Sequence, residues 1–344
     1  MATGTGLDAQ VGCGVESVWG VPVTCDRFYE FISESLTMVP AWLEPTALRS
    51  GVKFKRAERV RQSSRDIGGD VVVEHSTKGM GRLWKHALGS PVVTPSQIAT
   101  TTAYEQCHVP GDYRGLGMTV QVGRPEPASG AIKAFTYNGC KVATWKFTVK
   151  DKAIPQMTLT FDGQNESTVV GLAVPTYPSL NSVFDFSQTT LKLGGTVSTT
   201  SGKTSIVGGA AVATIIHDMS LAGASPKDGA RYGLGNAGLK AEQLENATPT
   251  ITGDLSAEFN LAELYSAFSG NTTIAMQMDM VGAVIGASGA NYTMSIILPA
   301  VKMKKATPNV AGPAIVAMKT SFEAYSDGVN PVIQVRLVSD EISL

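Results

Sequence analysis

Few residues of this 344-residue chain stand at spacings that support chemistry. Its four histidines are His75, His86, His108 and His217, and its four cysteines are Cys13, Cys25, Cys107 and Cys140. Cys107-His108 is the only close Cys/His pair. A structural zinc site takes four ligands, usually as spaced pairs, and the remaining pairs are missing. The thiols show neither a CxxC spacing nor a close-set framework, so they read as buried free thiols of a reducing compartment. His217-Asp218 can orient a base, but no serine or cysteine sits in a GxSxG nucleophile elbow. Gly233-Leu234-Gly235-Asn236-Ala237-Gly238 satisfies GxGxxG literally. A dinucleotide fingerprint needs a strand before it and a long helix after it. Here a turn-rich stretch, Ala222 to Arg231, precedes it, and only the short segment Lys240 to Asn246 follows, so it reads as a loop. No catalytic residue, metal or cofactor is expected, and the chain does not read as an enzyme.

Charge is the sharper signal. Arg49, Lys53, Lys55, Arg56, Arg59, Arg61 and Arg65 fall within one short run whose single acid is Glu58. Such a run suits a solvated loop, a contact with nucleic acid, or an arm that meets acidic patches on a neighbouring subunit. The net charge of −1 and pI of about 6.4 argue against a dedicated nucleic-acid binder, which carries a strongly basic domain. They do not argue against a neutral conduit. Charged residues make up 17% of the chain, against about 25% in ordinary soluble domains. A surface poor in charge is expected where much of it is buried against other chains. Met1 to Gln10 lacks a basic start and an apolar core, so no secretory signal is read there. No stretch approaches the ~18 apolar residues of a membrane helix. The expectation is a soluble protein made in a cytoplasm.

The elements that must hold any site are mostly strands. Short apolar or alternating runs lie at 28–39, 71–73, 118–122, 146–149, 157–161, 184–193, 213–221, 251–259, 273–280, 292–303, 315–324 and 332–338. Turn residues separate them, which indicates an all-β fold of sandwich or barrel type. Two helices interrupt the strands. Met80, Leu83, Trp84, Ala87 and Leu88 form one apolar stripe over about 78–88, with Gly89 at the C-cap. Leu261, Leu264, Tyr265 and Phe268 repeat that spacing, with Asn260 and Glu263 as a capping pair and Gly270 just past the end.

The two helices follow similar strands. Gly69-Asp70-Val71-Val72-Val73-Glu74 precedes the first, and Gly253-Asp254-Leu255-Ser256-Ala257-Glu258 the second. Side chains alternate along a strand, so Asp70, Val72 and Glu74 share one face and Asp254, Ser256 and Glu258 the equivalent one. A weaker match relates 139–163, ending in Asp162-Gly163, to 298–328, ending in Asp327-Gly328. Both point to an internal duplication with a division near Pro175 to Asn181. The expected domains are 1–178, carrying the basic arm near 49–65, and 179–344.

The order of these features resembles the tail tube (major tail) proteins of siphovirus-like, long-tailed bacteriophages. The carrying segments include Val15 to Thr24, Phe31 to Leu36, Leu48-Arg49-Ser50-Gly51 with the basic run, and Gly69-Asp70 with its strand. They continue with Lys78-Gly79-Met80-Gly81, Lys85 to Gly89, Tyr137 to Val142, Phe161 to Gln164, Ala173 to Pro178, Ile251 to Leu255 and Leu298 to Val301. The resemblance implies β-sandwich or barrel modules, each with a flanking helix and a long loop. Rings of six modules would stack into a virion tube through which DNA passes without sequence-specific contact. It implies self-association, assembly in the bacterial host cytoplasm, and tape measure, terminator and distal tail proteins as partners. It implies no membrane. Asp70, Glu74, Asp254 and Glu258 become candidate acids of an acidic or neutral lumen, and the basic run a candidate inter-subunit arm. Two modules per chain would make a ring of three chains; a decorated single module would make six. Another ring-forming tail component, such as a terminator or baseplate hub, stays open. So does an adhesive, carbohydrate-binding β-sandwich.

Overall fold

The computed structural model describes every residue except Met1–Thr3, Val92 and Ala311. Its strands in the first part of the chain are β1 (Gln10–Glu16), β2 (Arg27–Tyr29), β3 (Phe31–Glu34), β4 (Thr37–Leu43), β5 (Arg61–Glu74), β6 (Ser96–Gln97), β7 (Tyr104–His108), β8 (Gly117–Pro125), β9 (Ile132–Lys150), β10 (Gln156–Gly163) and β11 (Asn165–Ser167). The later part holds β12 (Thr189–Leu193), β13 (Thr196–Thr200), β14 (Lys203–Val207), β15 (Ala210–Ala211), β16 (Ile216–Ala224), β17 (Thr250–Glu258), β18 (Ile274–Val284), β19 (Asn291–Lys305), β20 (Ala317–Ala324) and β21 (Gln334–Ser339). The helix α1 (Met80–Leu88) follows β5, and a π-turn at Leu261–Tyr265 leading into α2 (Ser266–Ser269) follows β17. The fold is mainly β, as the strand patterns predict, and its strands pair antiparallel.

One strand run proves to be three, since 28–39 divides into β2, β3 and the start of β4. The division has a steric cause. Gly69 sits at φ +145°, where an added Cβ would lie 2.3 Å from the Ser35 carbonyl oxygen. The β3–β4 junction crosses β5 there at a distance only glycine permits. The basic run is also less of a loop than its composition suggests, because Arg61 and Arg65 lie in β5 itself.

The strands form a ladder of two corresponding sets. In the first, β1 pairs with β8, β8 with β9, β9 with β10, and β10 with β5. In the second, β12 pairs with β18, β18 with β19, β19 with β20, and β20 with β17. A β-bulge recurs at the same place. Phe161 pairs with Val142 and Thr160 with Thr144, leaving Ala143 extra. Phe322 pairs with Met303 and Ser321 with Lys305, leaving Lys304 extra. Phe161 lies opposite Gly69 and Phe322 opposite Gly253. This register aligns Asp162 with Glu323; the sequence-based alignment with Asp327 is wrong by four residues, because Asp327 lies in the turn beyond β20.

The core lies on one side of the joined sheet. Val71, Val73, Phe147, Met157, Leu159, Leu221, Leu255, Ala257, Met318 and Phe322 are buried there. Helix α1 packs on β9 and α2 on β19. Trp84 meets Trp145 edge-on with ring centroids 5.2 Å apart, and the predicted apolar stripe of α1 is fully buried. Gly89 takes the left-handed C-cap conformation as expected. Asn260 caps the second helix through its side chain, accepting from the amides of Ala262 and Glu263. Gly270 ends it at φ −82° without a left-handed turn.

Candidate functional site

The face opposite the core is polar and open. Asp70, Glu74, Asp254 and Glu258 all stand on it, because the neighbours Val71, Val73, Leu255 and Ala257 point into the core. The four acids do not stand alone. The first pair belongs to β5 and the second to β17, and between them run β10, β9 and β16. A groove across these strands is lined by Lys146, Lys150, Asp218, Asp254, Lys305 and Lys319. Cations and anions are interleaved, so the face is close to neutral. Sequence reasoning found the acids and missed the lysines, whose strand parity places them on the same side.

The two strand sets meet edge to edge through β9 and β16, which pair from Asp218↔Lys150 to Ala224↔Thr144. The segment 225–249, between β16 and β17, folds back over the first set and closes this seam. Its Lys240 Nζ, with a fully buried side chain, reaches Asp66 Oδ1 at 3.0 Å and also contacts Asp162. Burial opposes the charge on Lys240, but the hydrogen bond and attraction from Asp162 outweigh it and hold the ammonium above its ordinary pKa. In return, Lys141 Nζ on β9 donates to Glu242 Oε1 at 2.7 Å and to the carbonyls of Tyr113 and Gln243. Lys227, over the Tyr113 ring at 3.7 Å, is pushed down to about 8 by burial. Gln243 donates to the Asp162 carbonyl at 3.0 Å and Tyr232 to the Arg65 carbonyl at 2.8 Å. The GxGxxG stretch is part of this closure and a loop, as read. An added Cβ at Gly238 would lie 2.1 Å from the Ser63 carbonyl oxygen.

The basic run forms the end of the β4–β5 hairpin and projects from the body. Arg49, Lys53, Lys55 and Arg61 are exposed; Arg56 and Arg59 are half-buried. Lys55 pairs with Glu44, and Arg56 with Glu58 at 3.1 Å. Arg65 belongs to the base, donating to Asn165 Oδ1 at 3.0 Å. Large apolar side chains accompany the charges: Leu48 is 100% exposed, Phe54 86% and Trp42 58%. The arm thus presents large apolar side chains to solvent beside its charges.

Most of the remaining reactive groups are buried. His75, His86 and His108 are buried, and desolvation pushes each down to about 3. Cys13, Cys25 and Cys140 are buried free thiols and Cys107 is half-buried. His217 is half-buried, with Nδ1 3.9 Å from Asp151. Among the described residues no three His, Cys, Asp or Glu side chains converge as a metal site would require, and no helix is long and apolar enough to cross a membrane.

A protein-family model described as phage tail tube protein matches residues 6–324. None of the curated proteins matches the chain.

Proposed function

The chain belongs to the phage tail tube protein family, a structural and non-enzymatic family of the virion tail, and from that premise we propose that it is the major tail tube subunit, whose stacked rings form the conduit for DNA ejection. The observation that carries this reading is the recurrence of one strand order, with the same bulge and the same flanking helix, in two sets fused through β9 and β16. Residues 1–178 and 179–344 are then two tube modules of one chain, and three chains complete a ring of six modules. The polar face of the joined sheet lines the lumen, with Asp70, Glu74, Asp254 and Glu258 facing the passing DNA. Each phosphate neutralised by a lysine adds counterion-release affinity. Acids interleaved with Lys146, Lys150 and Lys319 keep that term small, so DNA slides. The core side of the sheet and its helices face outward, and the arm bridges copies. Tape measure, terminator and distal tail proteins cap and fill the tube, which is assembled in the host cytoplasm.

Negative-stain electron microscopy of the purified protein over a range of concentration and salt tests this reading. Rings or tubes with an open lumen and a ring mass of three chains are expected. A ring mass of six chains would sink the two-module ring, and discrete monomers under all conditions would sink self-assembly without an initiator.

A further inference from the structure

We infer that the seam between chains repeats the seam within the chain: β4 and the arm of one copy pack against Lys302–Lys305 and Glu323 of the next. This rests on the ring reading above. Within the chain, β16 lies outside β17 and fills the edge that β9 offers beyond its pairing with β8. The counterpart of that edge is the end of β19. The pairing of β18 to β19 stops at Val301, as the pairing of β8 to β9 stops at Cys140, and on that side Lys302–Lys305 has no strand partner among the described residues. The counterpart of β16 is the β3–β4 segment. It pairs with β5 alone, as β16 pairs with β17, and its outer edge is also open. A single chain therefore carries both halves of one joint, unpaired, at opposite ends of its sheet. Open edges of this kind template pairing with another chain. A head-to-tail contact of this type closes into a ring when the rotation fits.

Register and charge agree. Val39 pairs with Asp66 and Ala224 with Thr250, and both partners lie four residues before the matching acids Asp70 and Asp254. Val39 is thus the counterpart of Ala224, and Lys305 of Thr144, each just past its bulge. Since Ala224 faces Thr144 across the internal seam, Val39 of one copy faces Lys305 of the next. Behind the internal ladder, 225–249 brings Lys240 to Asp162 and Glu242 to Lys141. The counterparts of Asp162 and Lys141 are Glu323 and Lys302. Lys302 Nζ meets Asn271 Oδ1 at 3.2 Å, and Glu323 lies 3.4 Å from Lys304. The segment that would cover them is the arm, whose Lys53, Lys55 and Arg56 suit Glu323 and whose Glu44 and Glu58 suit Lys302. The arm joins β4 to β5 as 225–249 joins β16 to β17, so it is the equivalent covering segment.

The test is disulfide trapping in assembled full-length protein. Val39→Cys with Lys305→Cys should, on oxidation, give covalent dimers and trimers in denaturing gels, with neither single variant doing so. Ala224→Cys with Thr144→Cys is the internal control and should form a bond without raising the mass. On unmodified assemblies, zero-length carbodiimide coupling followed by mass spectrometry should link Lys53 or Lys55 to Glu323. Rings by electron microscopy that give neither the Val39–Lys305 bond nor the arm–Glu323 link would overturn the joint and leave the ring reading standing. Wild-type protein that never forms rings would overturn both.

Discussion

Trp145 lies across Gly223: the two are direct partners in the β9–β16 ladder, and the indole occupies the space where a side chain at 223 would begin. A Cβ added at Gly223 would fall 2.3 Å from the ring. The ring is also packed edge-on against Trp84, with centroids 5.2 Å apart, which restricts its adjustment. Gly223→Ala should destabilise the chain by about 1–3 kcal/mol through overpacking, read as a lower denaturant midpoint at unchanged slope. Adding Trp145→Phe should recover part of the loss, since the two residues share one space and their effects should not add.

The three buried histidines make stability depend on pH. Each has a folded-state pKa of about 3 against an ordinary value of 6.5. Between those limits the unfolded chain binds protons that the folded chain refuses, so stability falls as pH drops from 6.5 towards 3. Each histidine contributes a slope of up to about 1.4 kcal/mol per pH unit in that window. Trp84 donates to His75 Nε2 at 3.0 Å, which requires that nitrogen to be unprotonated. Denaturant unfolding measured from pH 7 to pH 4 should show this loss. His108→Phe should flatten the dependence by about one proton's worth; an unchanged slope would mean that His108 titrates freely.

The sequence was informative where one residue in two meets the core. Val71, Val73, Leu255 and Ala257 alternate with acids, and both the strands and their faces follow from that period. The helix stripe around Trp84 was legible for the same reason. The joint between the halves was not. Lys240 carries its role through a position in 225–249, a segment without regular period, and one lysine two residues past Gly238 has no local signature. Lys141 was hidden differently: it sits in a strand with Val142 buried on the opposite side, and its partner Glu242 lies 101 positions away. Of the two long strands, β19 was read nearly whole, as 292–303, but β9 only as the short run 146–149. β9 lacks one continuous pattern because it pairs with β8 and β11 in its first half and with β10 and β16 in its second.

Removing Lys240 should uncouple the closure from the seam. Its ammonium is enclosed with Asp162, whose side chain is 21% exposed, and Asp66, which is 73% exposed. Breaking a fully buried pair costs about 3–5 kcal/mol; partial hydration of the carboxylates lowers the expectation for Lys240→Met to about 2 kcal/mol. Asp162→Asn in the same chain should restore some of this by removing the stranded charge. Hydrogen exchange should show faster labelling in 225–249 for the single variant. Unchanged exchange would mean that Gln243 and Tyr232 hold the segment without the lysine.

The arm should be dispensable for folding and required for assembly. Its ion pairs, Lys55–Glu44 and Arg56–Glu58, and its Arg49–Val52 bridge are internal to it. Leu48 and Phe54 are almost fully exposed, so the body gains no burial from them. Replacing 46–57 with a short Gly-Ser turn should leave the free energy of unfolding unchanged within about 0.5 kcal/mol, the usual range for surface changes. The same variant should stay below ring size in sedimentation velocity at concentrations where the full chain assembles. Wild-type-like rings from the shortened chain would show that the arm is a solvated hairpin, and that the sheet edges alone hold the copies together.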